Sequence, residues 1–350
     1  MAAGFGQAAR NIGWAVHRPG QMDRLPYNSA RLNACQVYRK VGQEIIYVLR
    51  ILYWGLTGLF SYLPLARLLA AGMEVVGVVL PAGTPPTPTA PPIRRREPDE
   101  SPSDLPLVTP FVARSIAQLA WAHQIPLFEV AHLNDAETIH TLTVTRPEIA
   151  CVACFNRRIP ESVLALPRHG FLNLHPSLLP AYRGPAPLFW LLRDAATAAM
   201  GLTLHRLDAG LDSGPIVRQA ALALPEGVSG READEQHAEL GSQLLLAVLQ
   251  EAAHGPIQAT PQPAGGSYHP WPTAADFRLD TRWPARRAFN FMRGTAEWGQ
   301  PYPVEAGGSS LRLRTALSYE PAQTLAAPFR QVGATVWLQF RPGVLCARLA

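Results

Sequence analysis

The chain has 350 residues, 48% of them hydrophobic, and a formal net charge of +5. This length and apolar fraction allow a substantial core and two domains of ordinary size, which excludes a chain disordered throughout. Arginine carries nearly all of the positive charge, Lys40 being the single lysine, and the bias admits an anionic partner such as RNA.

Residues 1–44 are basic, poor in acids and without sustained hydrophobic period, so they read as a flexible extension. The stretch that follows, "IIYVLRILYWGLTGLFSYLPLARLL", is no membrane span. Its uncharged run between Arg50 and Arg67 is 16 residues, short of the roughly 20 a spanning helix needs, and it contains two glycines and a proline. It parses instead as a strand over "VLRILYWG", a turn over "LTGLFS" and a helix over "YLPLARLLAAG". "MEVVGVVLP" is then a buried strand of the kind found in parallel sheets.

Residues 81–110 are dense in proline and carry Arg94, Arg95 and Arg96 in a row, which predicts a long surface loop at the carboxyl end of a strand. Beyond it, "FVARSIAQLAWAHQIP" is helical in pattern, "LFEVAHL" strand-like, "DAETIHTLTVTRP" helical and "EIACVACFN" another buried strand. Alternation of this kind specifies a doubly wound α/β domain with a mostly parallel sheet. The turn at Gly55 and Gly58 lacks the dinucleotide fingerprint, which argues against a nicotinamide cofactor. Cys151 and Cys154 form a C-x-x-C without a second pair or a close histidine, so they read as buried free thiols and not as a zinc site. No disulfide framework is indicated by these two with Cys35 and Cys346, in keeping with a cytoplasmic protein.

The next strand opens "FLNLHPSLLPAYRGPAP", residues 171–187. Side chains two apart on a strand share a face, so Asn173 and His175 look into one space at the sheet end where such folds bind ligands. Further on, "GLTLHRL" and "PIVRQAALAL" read as strands joined by "DAGLDSG", where Asp212 sits between glycines that permit close backbone approach. Residues 45–255 thus form the α/β domain and 256–350 a linker with a small β-rich domain. In that last part "DFRLDTRWPARRAFNFMRG" is partly helical, and "SLRLRTAL", "ATVWLQF" and "GVLCARL" are short strands of an open, OB-like barrel. From Trp271 onward ten arginines face five acids.

"LNLHPSLLPAYRGPAP" together with "GLTLHRLDAGLDSGPIV" resembles the folate-dependent formyltransferases, whose members act on methionyl-tRNA, glycinamide ribonucleotide or aminosugars. The likeness extends more weakly from about Val48 to the end through "GGSYHPWPTAADFRLD" and "NFMRG". It implies that Asn173, His175 and Asp212 are catalytic and that Ser177, Leu178, Leu179 and Pro180 line a folate site. The implied donor is 10-formyltetrahydrofolate and the acceptor an amine, with no metal and no covalent nucleophile. An initiator methionyl-tRNA is the leading acceptor, on the strength of "YRGPAP", the C-terminal domain and the arginine-rich tail. A nucleotide-linked aminosugar is the alternative, on His205, Phe189 and Trp190; a non-catalytic RNA-binding relative is a third. No membrane and no stable protein partner are implied.

Overall fold

Alternation of apolar strands with helices produces the expected layering. A computed structural model describes residues 14–15, 38–41, 44–83, 90–98 and 114–350. A small antiparallel sheet comes first, with β2 (Tyr38–Val41) between β1 (Trp14–Ala15) and β3 (Glu44–Tyr47). Otherwise residues 1–43, and with them the expectation of a flexible extension, lie outside the described residues.

The main sheet grows from β4 (Arg50–Gly55), α1 (Leu59–Ala70), β5 (Glu74–Pro81), β6 (Ile93–Arg95), α2 (Ile116–Ala122), β7 (Leu127–Val130), α3 (Ala136–Val144), β8 (Ile149–Ala153), α4 (Glu161–Leu164), β9 (Phe171–His175), α5 (Pro187–Asp194), β10 (Gly201–Arg206), β11 (Ile216–Ala221) and α6 (Gly230–Ala252). Its strand order is β11-β10-β9-β8-β4-β5-β7-β6. The strands β9, β8, β4, β5 and β7 are mutually parallel, returned by helical crossovers. Antiparallel strands close both edges, β6 on β7 and β10 with β11 beyond β9. Every residue of β8 is buried, the pattern of a strand covered on both faces.

Two expectations are corrected locally. The first helix begins at Leu59, inside the expected turn. Ser61 causes this: its Oγ accepts the Leu56 N–H and donates to the Ala153 carbonyl, closing the turn over strand β8 so that the helix starts sooner. The second correction concerns the arginine run. Residues 84–89 and 99–113 lie outside the described residues, but Ile93–Arg95 is an edge strand and Ile93 is buried. Arg94 pairs with Glu129 across the strand pair and Arg95 with Glu97, which neutralises much of the run.

The C-terminal part consists of α7 (Ala285–Gly294), β12 (Tyr302–Ala306), β13 (Ser309–Glu320), β14 (Phe329–Val332), β15 (Thr335–Gln339) and β16 (Val344–Leu349). These strands make a separate antiparallel sheet, β12-β13-β16-β15-β14. Neither β12 nor β14 was legible: Pro303 interrupts the first, and the second has no buried residue to give it a period. One face of this sheet packs against α7 and α5 through a continuous apolar core that includes Phe189, Leu191, Phe277, Phe291, Tyr302 and Leu338. Phe291 is fully buried at its centre, with ring centroids 5.3 Å from Phe189 and 5.8 Å from Tyr302.

Phe291→Ala therefore leaves a cavity between both parts of the chain and lowers the unfolding free energy by about 3–5 kcal/mol. Denaturant unfolding monitored by tryptophan fluorescence measures it, and Phe291→Leu loses markedly less.

Candidate functional site

The site is assembled by pairing β9 with β10. In this antiparallel register Thr203 faces His175 and His205 faces Asn173. Leu172 and Leu174 point to the core on the other face, so the polar residues are left together. His175 and His205 are buried and Asn173 is half-buried. The His205 Nδ1–H donates to the Arg206 carbonyl at 2.9 Å. That assigns the neutral tautomer and leaves Nε2 to accept from the Asn173 amide at 3.0 Å. Burial, then the charge of His175, hold the His205 imidazole well below its ordinary range, at about 4, although Asp212 opposes them. His205 is thus a fixed acceptor that holds the Asn173 amide with its second N–H free. The His175 Nε2–H donates to the Tyr182 carbonyl at 2.9 Å, which turns Nδ1 toward Asp212.

Asp212 reaches these residues from the loop after β10. Its Oδ1 lies 3.7 Å from His175 Nδ1 and 3.7 Å from His205 Nε2. Its Oδ2 accepts the Gly184 N–H at 2.9 Å. The backbone at Asp212 is left-handed, with φ of 51°. Asp208 shapes the approach by accepting from Gly210 N and Ser213 Oγ. Gly184 has a φ of 116°, and a Cβ there would lie 2.1 Å from the His269 carbonyl oxygen, so only glycine can turn its N–H to the carboxylate.

A residue that nothing in the sequence pointed to ties these loops together. Gln262 donates to the carbonyls of Asp212 (2.7 Å) and Gly214 (2.8 Å) and accepts from Arg183. In this way the "YRG" and "LDSG" segments are braced by one amide.

Asn173, His175 and Asp212 are brought to one place, whereas Ser177, Leu178, Leu179 and Pro180 stand behind it. Ser177 and Leu179 are buried, and none of the four lines the adjoining cavity. Thr203 holds this loop: its Oγ1 donates to the Ser177 carbonyl at 2.6 Å and accepts the Leu179 N–H at 3.0 Å. Pro180 accepts from Ser267 N through its carbonyl.

The cavity has a volume of about 710 Å³ and holds Asn173, His175 and Asp212 on its wall. One part of its lining is apolar and comes from Phe155, Ile159, Leu164, Leu207 and Leu211, with Arg157 and Arg158 beside it. Both guanidinium groups donate to backbone carbonyls, Arg157 to Ala131 and Ala82 and Arg158 to Ala209, and neither is ion-paired among the described residues. Another part holds Tyr268, Trp271, Trp298, Asp234 and Glu297. The Asp234 carboxyl is pushed up to about 6 by burial among protein atoms and by Glu297. Cys154 is exposed to this cavity, which corrects the expectation of two buried thiols; only Cys151 is buried. Although its surface opens onto the cavity, the protein atoms packed around the sulfur and then Asp234 push the Cys154 thiol up to about 11, so it is a protonated wall group and a poor nucleophile. Among the described residues no group of three or more His, Cys, Asp or Glu side chains is arranged for a metal ion, and no helix is long and apolar enough to cross a membrane.

A family profile described as "Formyl transferase" matches residues 108–249. The chain is 31% identical over 290 residues to the methionyl-tRNA formyltransferase of Chloroflexus aggregans, covering 81% of this chain and 85% of that one. With the enzyme of the same name from Chloroflexus aurantiacus it shares 35% over 218 residues, 61% of this chain and 62% of the relative. In fold it is similar to the N-formyltransferase from Helicobacter canadensis solved with folinic acid and dTDP-3-aminofucose, with a TM-score of 0.61 at 14% identity over 86% of this chain and 99% of that one. The sugar 3N-formyltransferase WlaRD gives 0.60 at 13% identity, covering 86% and 97%. Likeness along four-fifths of the chain to the Chloroflexus aggregans enzyme, together with the family profile and the shared fold, makes this protein a formyltransferase, a member of the family that contains the methionyl-tRNA formyltransferases.

Proposed function

We propose that the chain transfers the formyl group of 10-formyltetrahydrofolate to the amino group of an initiator methionyl-tRNA in the cytoplasm. The observation that carries this reading is the convergence of Asn173, His175 and Asp212 on one cavity of ligand size. The names of the sequence relatives support the acceptor, and the folinic acid bound to the Helicobacter canadensis protein supports the donor. Phe155, Ile159, Leu164 and Leu211 offer an apolar slot for a pterin ring, and Arg157 and Arg158 supply positive charge for the carboxylates of its tail. Ser177–Pro180 act as a brace for the catalytic loop instead of touching the donor.

The chemistry follows from the hydrogen bonds. A neutral amine attacks the formyl carbon, and negative charge grows on the formyl oxygen. The free N–H of Asn173 faces that oxygen, one well-placed donor contributing about 3 kcal/mol, while His175 Nδ1 stays turned toward Asp212. Asp212 takes the proton released by the amine as it forms the new C–N bond. As the C–N bond to folate breaks, a proton returns to the departing folate nitrogen, so no charge is left over. The 3.7 Å separations around Asp212 are those of a site that tightens when substrates enter.

An RNA acceptor also suits the outer face of the C-terminal sheet. Leu313, Ala316, Val336, Leu338 and Ala347 fill the inner face, so Arg312, Arg314, Arg330 and Arg348 point outward. None of these four forms an ion pair with another described residue, and Arg330 lies 4.4 Å from the Trp337 ring. The alternative, a nucleotide-linked aminosugar, is favoured by His205 and by the ligand of the Helicobacter canadensis protein. Acceptor assays with formyl-folate decide between them: charged initiator tRNA must react faster than aminosugar nucleotides and simple amines.

Asn173→Ala is expected to lower kcat by roughly 100- to 1000-fold with folate affinity unchanged, as loss of one oxyanion donor does; single-turnover assays with equilibrium donor binding measure both. His205 supplies a pH dependence. Its folded value, about 4, lies below its ordinary value of 6.5, so the unfolded chain takes up the proton first. Stability therefore falls as pH drops from 6.5 to 4 and this contribution is flat outside that window. His205→Asn removes that part of the slope, read by denaturant unfolding at successive pH values. On the outer sheet face, Arg330→Ala and Arg348→Ala are expected to weaken tRNA binding and to reduce the slope of log affinity against log salt by about one unit each. Salt titrations with equal donor affinity throughout test this.

A further inference from the structure

Six large hydrophobic side chains are exposed among the described residues, and three of them, Leu211 (55%), Tyr268 (53%) and Trp271 (62%), line the catalytic cavity. Leu211 belongs to the "LDSG" loop that carries Asp212, but Tyr268 and Trp271 come from a separate segment without regular structure. Exposed aromatic rings are costly on a surface with nothing to cover them and characteristic of one that meets a ligand.

The Trp271 ring rests on a neighbouring aromatic ring, and the backbone that carries both residues is tied down. The Trp271 ring lies 5.3 Å from Trp298 at 41°, and Trp298 in turn rests on Phe189 at 5.3 Å. The backbone around them is held on both sides: Trp190 Nε1 donates to the Pro270 carbonyl at 2.9 Å, and His269 N donates to the Arg183 carbonyl at 2.9 Å. His269 also stacks on Tyr182, at 4.8 Å and 8°. The Trp271 ring is thus placed beside the cavity before a ligand arrives, which lowers the side-chain ordering cost at binding.

The position is also close to the chemistry. A Cβ at Gly184 would lie 3.3 Å from Tyr268 Cε2, and the Gly184 N–H is the one that holds Asp212. The apolar slot formed by Phe155, Ile159 and Leu164 accounts for the folate ring, so the aromatic rings are left for the second substrate.

We propose that Tyr268 and Trp271 form a stacking shelf for the nucleobase of the acceptor. The inference rests on the formyl-transfer reading and narrows it. Every base offers a π-face, and stacking on one such ring strengthens binding by roughly five- to hundredfold. A branched aliphatic ligand would be matched by leucine or isoleucine, whereas two planar rings with open faces match a planar partner. Such a base can come from the 3′-terminal nucleotide of a tRNA or from the nucleotide of an activated aminosugar.

The test is direct binding of adenosine and thymidine monophosphates to the full chain, in wild type, Trp271→Ala and Trp271→Phe, with folinic acid binding as the control. The shelf requires at least one nucleotide to bind, a tenfold or greater loss in Trp271→Ala, retention within about threefold in Trp271→Phe, and unchanged folinic acid affinity. Preference for the adenosine nucleotide identifies the tRNA end and preference for thymidine the sugar nucleotide; either supports the shelf. Binding of neither nucleotide, equal affinity in wild type and Trp271→Ala, or a matching loss of folinic acid affinity overturns it. Formyl transfer to charged tRNA with the same KM in Trp271→Ala would overturn the shelf and leave the transfer reading intact. Trp271-dependent nucleotide binding by a chain that formylates no tRNA would do the reverse.

Discussion

The antiparallel return of β10 along β9 is the constraint on which the site depends. A parallel sheet could have continued past β9, but the reversal sets two rows of side chains opposite each other at one sheet edge. Because strand side chains alternate with a period of two, a slip of one residue would bury Asn173 and His175 among Leu202, Leu204 and Leu245 and expose Leu172 and Leu174. The apolar face therefore enforces the register, and the register in turn makes His205 the acceptor for Asn173. A hydrophobic constraint thus fixes the direction of one amide N–H.

Asp212 is held by a different kind of constraint. It lies on a loop, so no ladder positions it, and its left-handed backbone costs about 1 kcal/mol relative to an ordinary turn residue. The hydrogen bonds from Gly184 N and from Gln262 to the loop carbonyls oppose that cost. Three loops, 182–184, 208–214 and 262–269, are cross-tied by these bonds and by the Tyr182 N–H to Ser267 Oγ. Preorganisation of this kind is what electrostatic stabilisation of a transition state requires, since the donors must not reorient as charge develops.

The parts legible in the sequence are those with a local signal. Unbroken apolar runs marked β4, β5 and β8, and alternation marked Asn173 and His175 as sharing a face. The turn glycines around Asp212 marked a close approach. What was illegible depends on distant residues. Gln262 has no motif, because its partners lie 48 and 50 residues away and meet it only in three dimensions. Ser61 shortens a turn through the carbonyl of a strand 92 residues on. The role of loop 177–180 beside a folate site is implied by the family resemblance and not by any local period. Thr203 holds this loop inward through two buried hydrogen bonds, and nothing in the loop itself encodes that.

The distribution of charge suits the proposed acceptor, a large polyanion of which only one end reacts. Arginines that form no ion pair among the described residues lie on the outer face of the C-terminal sheet, while the cavity region near Trp271 carries Asp234 and Glu297. A polyanion approaching within a Debye length, about 8–10 Å at physiological salt, is attracted to the first and repelled from the second. For the proposed tRNA acceptor, this favours phosphate contacts on the sheet face and leaves the amine-bearing end for the cavity. Phe189 and Phe291 join α5, α7 and the C-terminal sheet in one core, which ties the outer sheet face to the cavity wall. On the proposed reading, long-range attraction draws the acceptor toward the sheet face, and the 3.7 Å separations around Asp212 shorten once its amine has entered.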